Sequence, residues 1–488
     1  MALSRRSLLT AAMTTAASAA AMPLLAACDD KAKPKTDDTA KPKPAAGPPL
    51  IFPGGFAWGA ATSAYQIEGG ATADGRGPSI WDTFSHTPGT IADGSNGDVA
   101  CDHYHRWESD LDLCKQLGLH SYRFSIAWPR IRPDGRGAVN QKGLDFYKRL
   151  VDGLHQRGIA PLATLFHWDL PQKLQDQGGW ENRDCAKWFA DYADVVFTAL
   201  GSSVPTWLTI NEPKTIVQVG YTFGTMAPGK ADPVAAAVAM HHLALAHGLA
   251  VRAYRDSGAS GRIGAALNLA PAYPATAGDE AATKAAAIAD AVENRAYLDP
   301  IFKKAYPTDF IESLDEGVRT ALQGAIKDGD LATIGATVDL LGVNYYNPVF
   351  VDANGRYQTI KPTSAASWEQ IYPQGLEDLL VRLHRDYGDL PLVITENGIP
   401  DPAAADQDHG RIAYLRDHLA AAQRAIQSGV RVEGYHVWSL LDNFEWAQGY
   451  TQRWGIVHVD FASQTRTPKP SATWYRDVIA RNGLAAGD

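Results

Sequence analysis

Cysteine is scarce in this chain, with 4 residues in 488, at positions 28, 101, 114 and 185. Their spacing matches no zinc-ligand pattern, and the three beyond Cys28 make no disulfide framework. Buried free thiols are expected, with a single bridge as the alternative. Excess positive charge is missing too. Lys and Arg number 45 against 54 Asp and Glu, a net charge of −9, so the chain lacks the basic balance of a nucleic-acid binder. No long apolar run is evident after residue 27, so no membrane span is expected there. No solenoid-length repeat is evident. Metal-ligand sets are likewise lacking. Asp93-Gly94-Ser95-Asn96-Gly97-Asp98 carries the oxygens of a calcium loop without a bidentate Glu at the right offset, and reads as an Asx-rich surface loop. His103 and His105 have no third ligand nearby, and His241-His242 falls within an Ala-rich helical stretch, where packing explains it. No metal and no cofactor is expected.

What is present begins with a leader. Arg5-Arg6 precedes an apolar run reaching Ala27, so residues 1–27 read as a signal peptide with a twin-arginine start. Leu25-Ala26-Ala27-Cys28 resembles a bacterial lipobox, which would make Cys28 a lipidated first residue; an ordinary signal peptide with a chance cysteine is the alternative. Residues 28–50 are rich in Lys, Pro, Asp and Ala with no apolar period, the composition of a disordered linker. These segments place the protein outside the cytoplasm, periplasmic or at the cell surface, held to a membrane through Cys28.

Residues 51–488 read as one domain of alternating strands and helices. Strand-like runs occur at Phe56–Ala61, Ser121–Ile126, Ile159–Leu165, Thr206–Ile210, Arg262–Asn268, Val338–Val343, Leu392–Thr395 and Glu433–Trp438. Amphipathic helices are expected between them at Gln141–Gln156, Asp184–Leu200, Pro233–Tyr254, Glu280–Tyr297 and Gly410–Ser428. Eight strands with interleaved helices predict an α/β fold, a single (β/α)8 TIM barrel. Segments 297–330 and 352–372 read as insertions around it.

The strand ends concentrate polar and aromatic groups. They carry Tyr65-Gln66 after strand one, Arg123 on strand two, His167-Trp168-Asp169 after strand three and Asn211-Glu212 after strand four. Asn344-Tyr345-Tyr346, Glu396, and Trp438 leading to Glu445-Trp446 follow strands six, seven and eight. Any one of these is commonly structural; together they face the end of the barrel where catalysis occurs. Glu212 and Glu396 each follow a short apolar run and precede a turn signal, Pro213 or Asn397-Gly398. Two carboxylates on that face are the equipment for breaking a glycosidic bond. The chain's 13 tryptophans supply flat faces for stacking on sugar rings, or simply a large aromatic core.

The segments "FPGGFAWGAATSAYQIEG" from Phe52, "SYRFSIAWPRI" from Ser121, "TLFHWDLPQKL" from Thr164, "TINEP", "LGVNYYNP" from Leu341, "VITENG" and "WSLLDNFEWAQGYTQRWGIVHVD" from Trp438 resemble glycoside hydrolase family 1, the β-glucosidase and β-galactosidase family. The resemblance spans essentially residues 51–480 and implies a retaining exo-β-glycosidase, most simply a β-glucosidase, acting on β-glucosides and short β-linked oligosaccharides. It implies Glu212 as general acid/base and Glu396 as nucleophile, with Arg123 and Tyr346 holding the nucleophile. It assigns Gln66, His167, Asn211, Glu445 and Trp446 to sugar hydroxyls and Trp438 to the stacking floor. The strand-end reading adds Trp168, Asn344 and Tyr346 to the substrate-binding set. Glu445 argues against 6-phosphorylated glycosides, because a carboxylate repels a phosphate. Trp454 departs from the Phe common in the family after the equivalent of Arg453, which leaves the choice among glucose, galactose and fucose open. The competing readings are a non-catalytic sugar-binding lipoprotein on the same barrel, which has no need of both acids, and a 6-phospho-β-glycosidase.

Overall fold

The computed structural model describes residues 48–401 and 407–486. The expected signal peptide, Cys28 and nearly all of the expected linker lie outside the described residues. Leu50, the last linker residue, pairs with Leu484, and Ile51 with Gly483, so the chain ends of the domain are stitched together.

Eight parallel strands close into a barrel: β1 (Ala57–Ala61), β2 (Ser121–Ser125), β3 (Ala160–Phe166), β4 (Thr206–Asn211), β5 (Arg262–Asn268), β6 (Leu340–Asn344), β7 (Leu392–Asn397) and β8 (Val432–Trp438). Each matches a strand read from sequence to within two residues. The runs carry no polar alternation because both faces are covered, by the barrel interior and by helices. Leu162, Leu208, Ala266, Leu340 and Val393, from β3 to β7, form one buried interior cluster, so the barrel is a packed core and not a pore.

The surrounding helices are α1 (His103–Gln116), α2 (Gln141–Gln156), α3 (Asp184–Leu200), α4 (Pro233–Asp256), α5 (Glu280–Asp290), α6 (Pro373–Tyr387), α7 (His409–Gln427) and α8 (Pro470–Arg481). Their starts follow local chemistry. Asp232 accepts from the Val234 and Ala235 amides while Pro233 opens α4, and Asp279 caps α5 in the same way. Helix α4 corrects one expectation. By length and composition it could cross a membrane, yet 78% of its most apolar stretch is buried inside the fold. It is a core helix, packed between α3 and the helices of residues 296–334.

The helix expected over 280–297 is interrupted. A π turn at Ala291–Arg295 follows α5 before helix resumes at Ala296–Phe302. The turn lets the Asn294 amide bond both the N–H and the C=O of Ala270, tying the helix to the loop after β5. The 297–330 insertion is helical. That at 352–372 contributes Tyr357–Gln358 to a small sheet with Val349–Val351 and Ala272–Pro274. Cys101, Cys114 and Cys185 are buried free thiols. The 93–98 loop lies at the surface, where Asp93 accepts from Ser95 and from the Tyr450 amide, clamping the segment after Glu445. Among the described residues no cluster of His, Cys, Asp and Glu could hold a metal ion. His103 instead pairs with buried Asp110, and His241 with Asp330.

Candidate active site

Both acids leave the barrel where strand pairing slips. The β4–β5 register shifts between Leu208 and Asn211, and the β7–β6 register between Ile394 and Glu396. Such irregularities re-aim side chains next to functional sites. Glu212 adopts a left-handed backbone (φ +48°), as do Trp168 (φ +78°) and Trp446 (φ +49°). For non-glycine residues this is costly, and it concentrates where surrounding contacts enforce a geometry. Gly398 answers a close approach: a Cβ there would lie 1.9 Å from the Trp438 carbonyl oxygen. Beside it Asn397 bonds the Tyr345 carbonyl, Tyr414 and Tyr435, locking the end of β7.

The two carboxylates open into one cavity of about 410 Å³, walled also by His167, Tyr346, Trp438 and Glu445. Trp168, Trp446 and Trp454 complete the inner wall. Glu396 is held at both oxygens, Oε1 by Arg123 Nη1 at 2.5 Å and Oε2 by the Tyr346 hydroxyl at 2.7 Å. Among the described residues Glu212 is met only by uncharged donors. Asn344 Nδ2 reaches Oε1 at 2.7 Å, while Thr215 Oγ1 at 2.8 Å and Asn268 Nδ2 at 3.3 Å reach Oε2.

A buried network joins the acids. Arg123 Nη2 donates to Asn211 Oδ1 at 2.7 Å, and Asn344 Nδ2 donates to the same oxygen at 3.0 Å. That fixes the Asn211 amide, whose Nδ2 must then donate to His167 Nε2, 3.0 Å away. His167 therefore carries its proton on Nδ1. Burial, reinforced by the charge of Arg123, holds the ring well below the usual histidine range, so it is neutral.

Burial also dominates the titration of Glu396 and Glu445. It raises Glu396 to about 7 against the lowering effect of Arg123, and the Glu212 charge adds to the rise. Glu445 is pushed up to about 8 by burial, then by Glu396 and Glu212, with hydrogen bonds from Trp438 and Gln66 opposing. Like charges sharing one desolvated site cannot all ionise easily, so this cluster retains a proton near neutrality.

The structure brings every sequence-expected residue of the barrel to this end, in two layers. His167, Trp168, Glu212, Tyr346, Glu396, Trp438, Glu445 and Trp446 line the cavity. Arg123, Asn211, Gln66 and Asn344 are fully buried behind it. Gln66 donates to Asn443 at 3.0 Å and Glu445 at 3.3 Å. Asn344, expected to bind sugar, is corrected to a support. Its Oδ1 accepts from Thr395 and its Nδ2 serves Asn211 and Glu212, so both ends are occupied. Trp168 lines the cavity while its Nε1 donates to the Asn211 carbonyl. Trp454, buried against Tyr346 and Trp368, sits on the Glu396 side. Asn268 was not foreseen, although the strand-end rule points to it at the end of β5, the one strand end left unread.

Two buried carboxylates at the C-terminal mouth of a (β/α)8 barrel, ringed by amides and indoles, define a glycoside hydrolase. The sequence matches Glycosyl hydrolase family 1 over residues 49–484, and the chain belongs to that family. It is 47% identical over 451 residues to beta-glucosidase A of Acetivibrio thermocellus, covering 89% of this chain and 99% of that protein. It is 44% identical over 465 residues to the bifunctional beta-D-glucosidase/beta-D-fucosidase of Bifidobacterium breve, 88% of this chain and 98% of that protein. The fold matches the Thermotoga maritima beta-glucosidase in complex with deoxynojirimycin with a TM-score of 0.83 and 42% identity, over 89% of this chain and all of that chain.

Proposed function

We propose that this chain is a retaining exo-β-glucosidase in which Glu396 is the nucleophile and Glu212 the acid/base. The observation that carries the role assignment is the asymmetry of the two acids. Glu396 is bonded to a guanidinium and a phenol, whereas among the described residues Glu212 meets neutral donors only. Arg123 favours the negative charge on Glu396, the state in which a carboxylate can attack. Glu396 attacks the anomeric carbon as the bond to the leaving oxygen breaks, and Glu212 gives that oxygen its proton. The ester removes the Glu396 charge. Glu212, now ionised, takes a proton from a water that attacks the same carbon, releasing Glu396 and a sugar with its β configuration kept. His167 and Glu445 hydrogen-bond the hydroxyls of the bound sugar, with Trp438 as its floor and Asn211 holding His167 from behind. Glu445 disfavours a 6-phosphate by charge, and two intact acids disfavour a non-catalytic binder.

The test is a panel of nitrophenyl glycosides with the product anomer followed by NMR. β-Glucoside hydrolysis with β-glucose formed first supports the reading; α-glucose formed first, or no hydrolysis, overturns it.

We further propose export through the Arg5-Arg6 signal and anchoring through lipidated Cys28, with residues 28–49 as a tether. The order of paired arginines, apolar run, Leu-Ala-Ala-Cys and charged Pro-rich stretch supports it. Extended at roughly 3 Å per residue, such a tether reaches on the order of 60 Å, holding the barrel mouth clear of the membrane.

A further inference from the structure

Beyond the acids, the cavity has a charged station that the mechanism above does not use. Lys214 lies two residues past Glu212 and lines the same cavity. Its Nζ donates to Glu293 Oε2 at 2.9 Å, and the other oxygen of Glu293 accepts from the Tyr357 hydroxyl at 2.9 Å. The Lys214 and Glu293 side chains are each 8% exposed. Lys214, Glu293 and Tyr357 come from three separate places: the turn after β4, the π turn after α5, and the small sheet at the barrel mouth. Among the described residues Glu293 is the sole acceptor for Lys214, whose ammonium has three protons. A buried ion pair costs desolvation and rarely adds stability, so packing alone gives a weak reason for placing one on a cavity wall.

Position assigns the station to the leaving group. Glu212 must reach the leaving oxygen, and Lys214, two residues further on, lines the same cavity. Asn268, which bonds Glu212, lines the cavity with Lys214, as do Gln218 and Gln370. The same cavity has an apolar, aromatic side in Phe223, Met226 and Trp368. A pyranose has this division, with a rim of hydroxyls and apolar faces. An alkyl or simple aryl aglycone would leave the ammonium unanswered.

We propose that Lys214, fixed by Glu293 and Tyr357, is a specificity-determining residue that donates to the hydroxyls of a second sugar in the leaving-group subsite. The inference rests on the glucosidase reading and deepens it. The chain is thereby a disaccharide-preferring enzyme, and Lys214 acts in glycosylation and in the reverse transfer to a sugar acceptor.

The experiment measures kcat/KM for cellobiose and for 2,4-dinitrophenyl β-glucoside in wild type, Lys214→Met, Lys214→Arg and the double variant Lys214→Met/Glu293→Gln, which leaves no unpaired charge. The ratio of cellobiose to dinitrophenyl glucoside is expected to fall roughly tenfold or more in Lys214→Met and in the double variant, the scale of a hydrogen bond to a charged group. Lys214→Arg should restore part of it. A ratio within twofold of wild type in a folded variant overturns the proposal. Wild type is also assayed on cellobiose analogues lacking single hydroxyls on the reducing ring, which needs no variant. A loss of about tenfold for at least one analogue supports the proposal, and equal rates for all overturn it. Failure of wild type to hydrolyse the dinitrophenyl glucoside would instead sink the glucosidase reading itself.

Discussion

Arg123 Nη1 lies 2.5 Å from Glu396 Oε1, and both side chains are buried. Burial alone would favour a neutral Glu396; the guanidinium opposes it and leaves the acid at about 7. Replacing Arg123 by Met removes that opposition, so Glu396 should hold its proton to higher pH. The acidic limb of kcat/KM should move upward by about one unit or more, each unit being about 1.4 kcal/mol. Loss of one partner of a buried pair should also cost about 3–5 kcal/mol of stability, read by urea unfolding. An unmoved acidic limb in a folded variant would show that Glu396 is not the titrating base.

Glu212→Ala should lose proton donation while keeping the nucleophile. Dinitrophenyl glucoside needs little acid help and should still form the glycosyl-enzyme. Cellobiose turnover should fall beyond the ~10²–10⁴ of a single acid–base step, because both steps use this residue. The basic limb of the pH–rate profile should vanish with it; its persistence would assign the acid elsewhere.

Asp169 is buried, neither carboxyl oxygen has a hydrogen-bond partner among the described residues, and burial pushes it up to about 8. Its folded-state pKa lies above that of the unfolded chain, about 3.9, so between these values the folded protein binds more protons and stability falls as pH rises. His247 and His418, depressed to about 4 by burial, act in the opposite sense below about pH 6.5. Comparing Asp169→Asn with wild type cancels them. The variant's unfolding free energy should gain on wild type from about pH 4 to 8 and stay level above. A pH-independent difference would mean that Asp169 is ionised throughout.

Fractionation of a bacterial host tests the anchor. Wild type should partition with membranes and carry acyl label, and Cys28→Ser should lose both while keeping glucosidase activity. Wild type found wholly in the soluble fraction would refute the anchor and leave the barrel chemistry standing.

The barrel was legible because each strand is a short apolar run, and Glu212 and Glu396 because each acid ends one. Their functional asymmetry was legible only through the family resemblance. It depends on Arg123 lying 273 residues from Glu396 in sequence, and on register slips at β4 and β7 that no local pattern encodes. Asn344 was misread as a sugar contact because its strand-end position says nothing of its bonds to Thr395, Asn211 and Glu212. Lys214 and Glu293 escaped notice for a similar reason. They are 79 residues apart, and the π turn that presents Glu293 interrupts what reads as continuous helix. Helix α4 looked too short in apolar run to matter, yet its alanines make it long enough to span a bilayer; only tertiary packing shows where it goes.

The most direct measurement of the central claim replaces the nucleophile. Glu396→Gly should fold, because the residue ends a strand whose other contacts remain, and should be inactive on dinitrophenyl glucoside. Added azide should enter the vacated space and restore turnover, and NMR should identify the product as α-glucosyl azide, formed by one inversion. Near-wild-type turnover without azide, or a β-linked azide product, would contradict the assignment of Glu396.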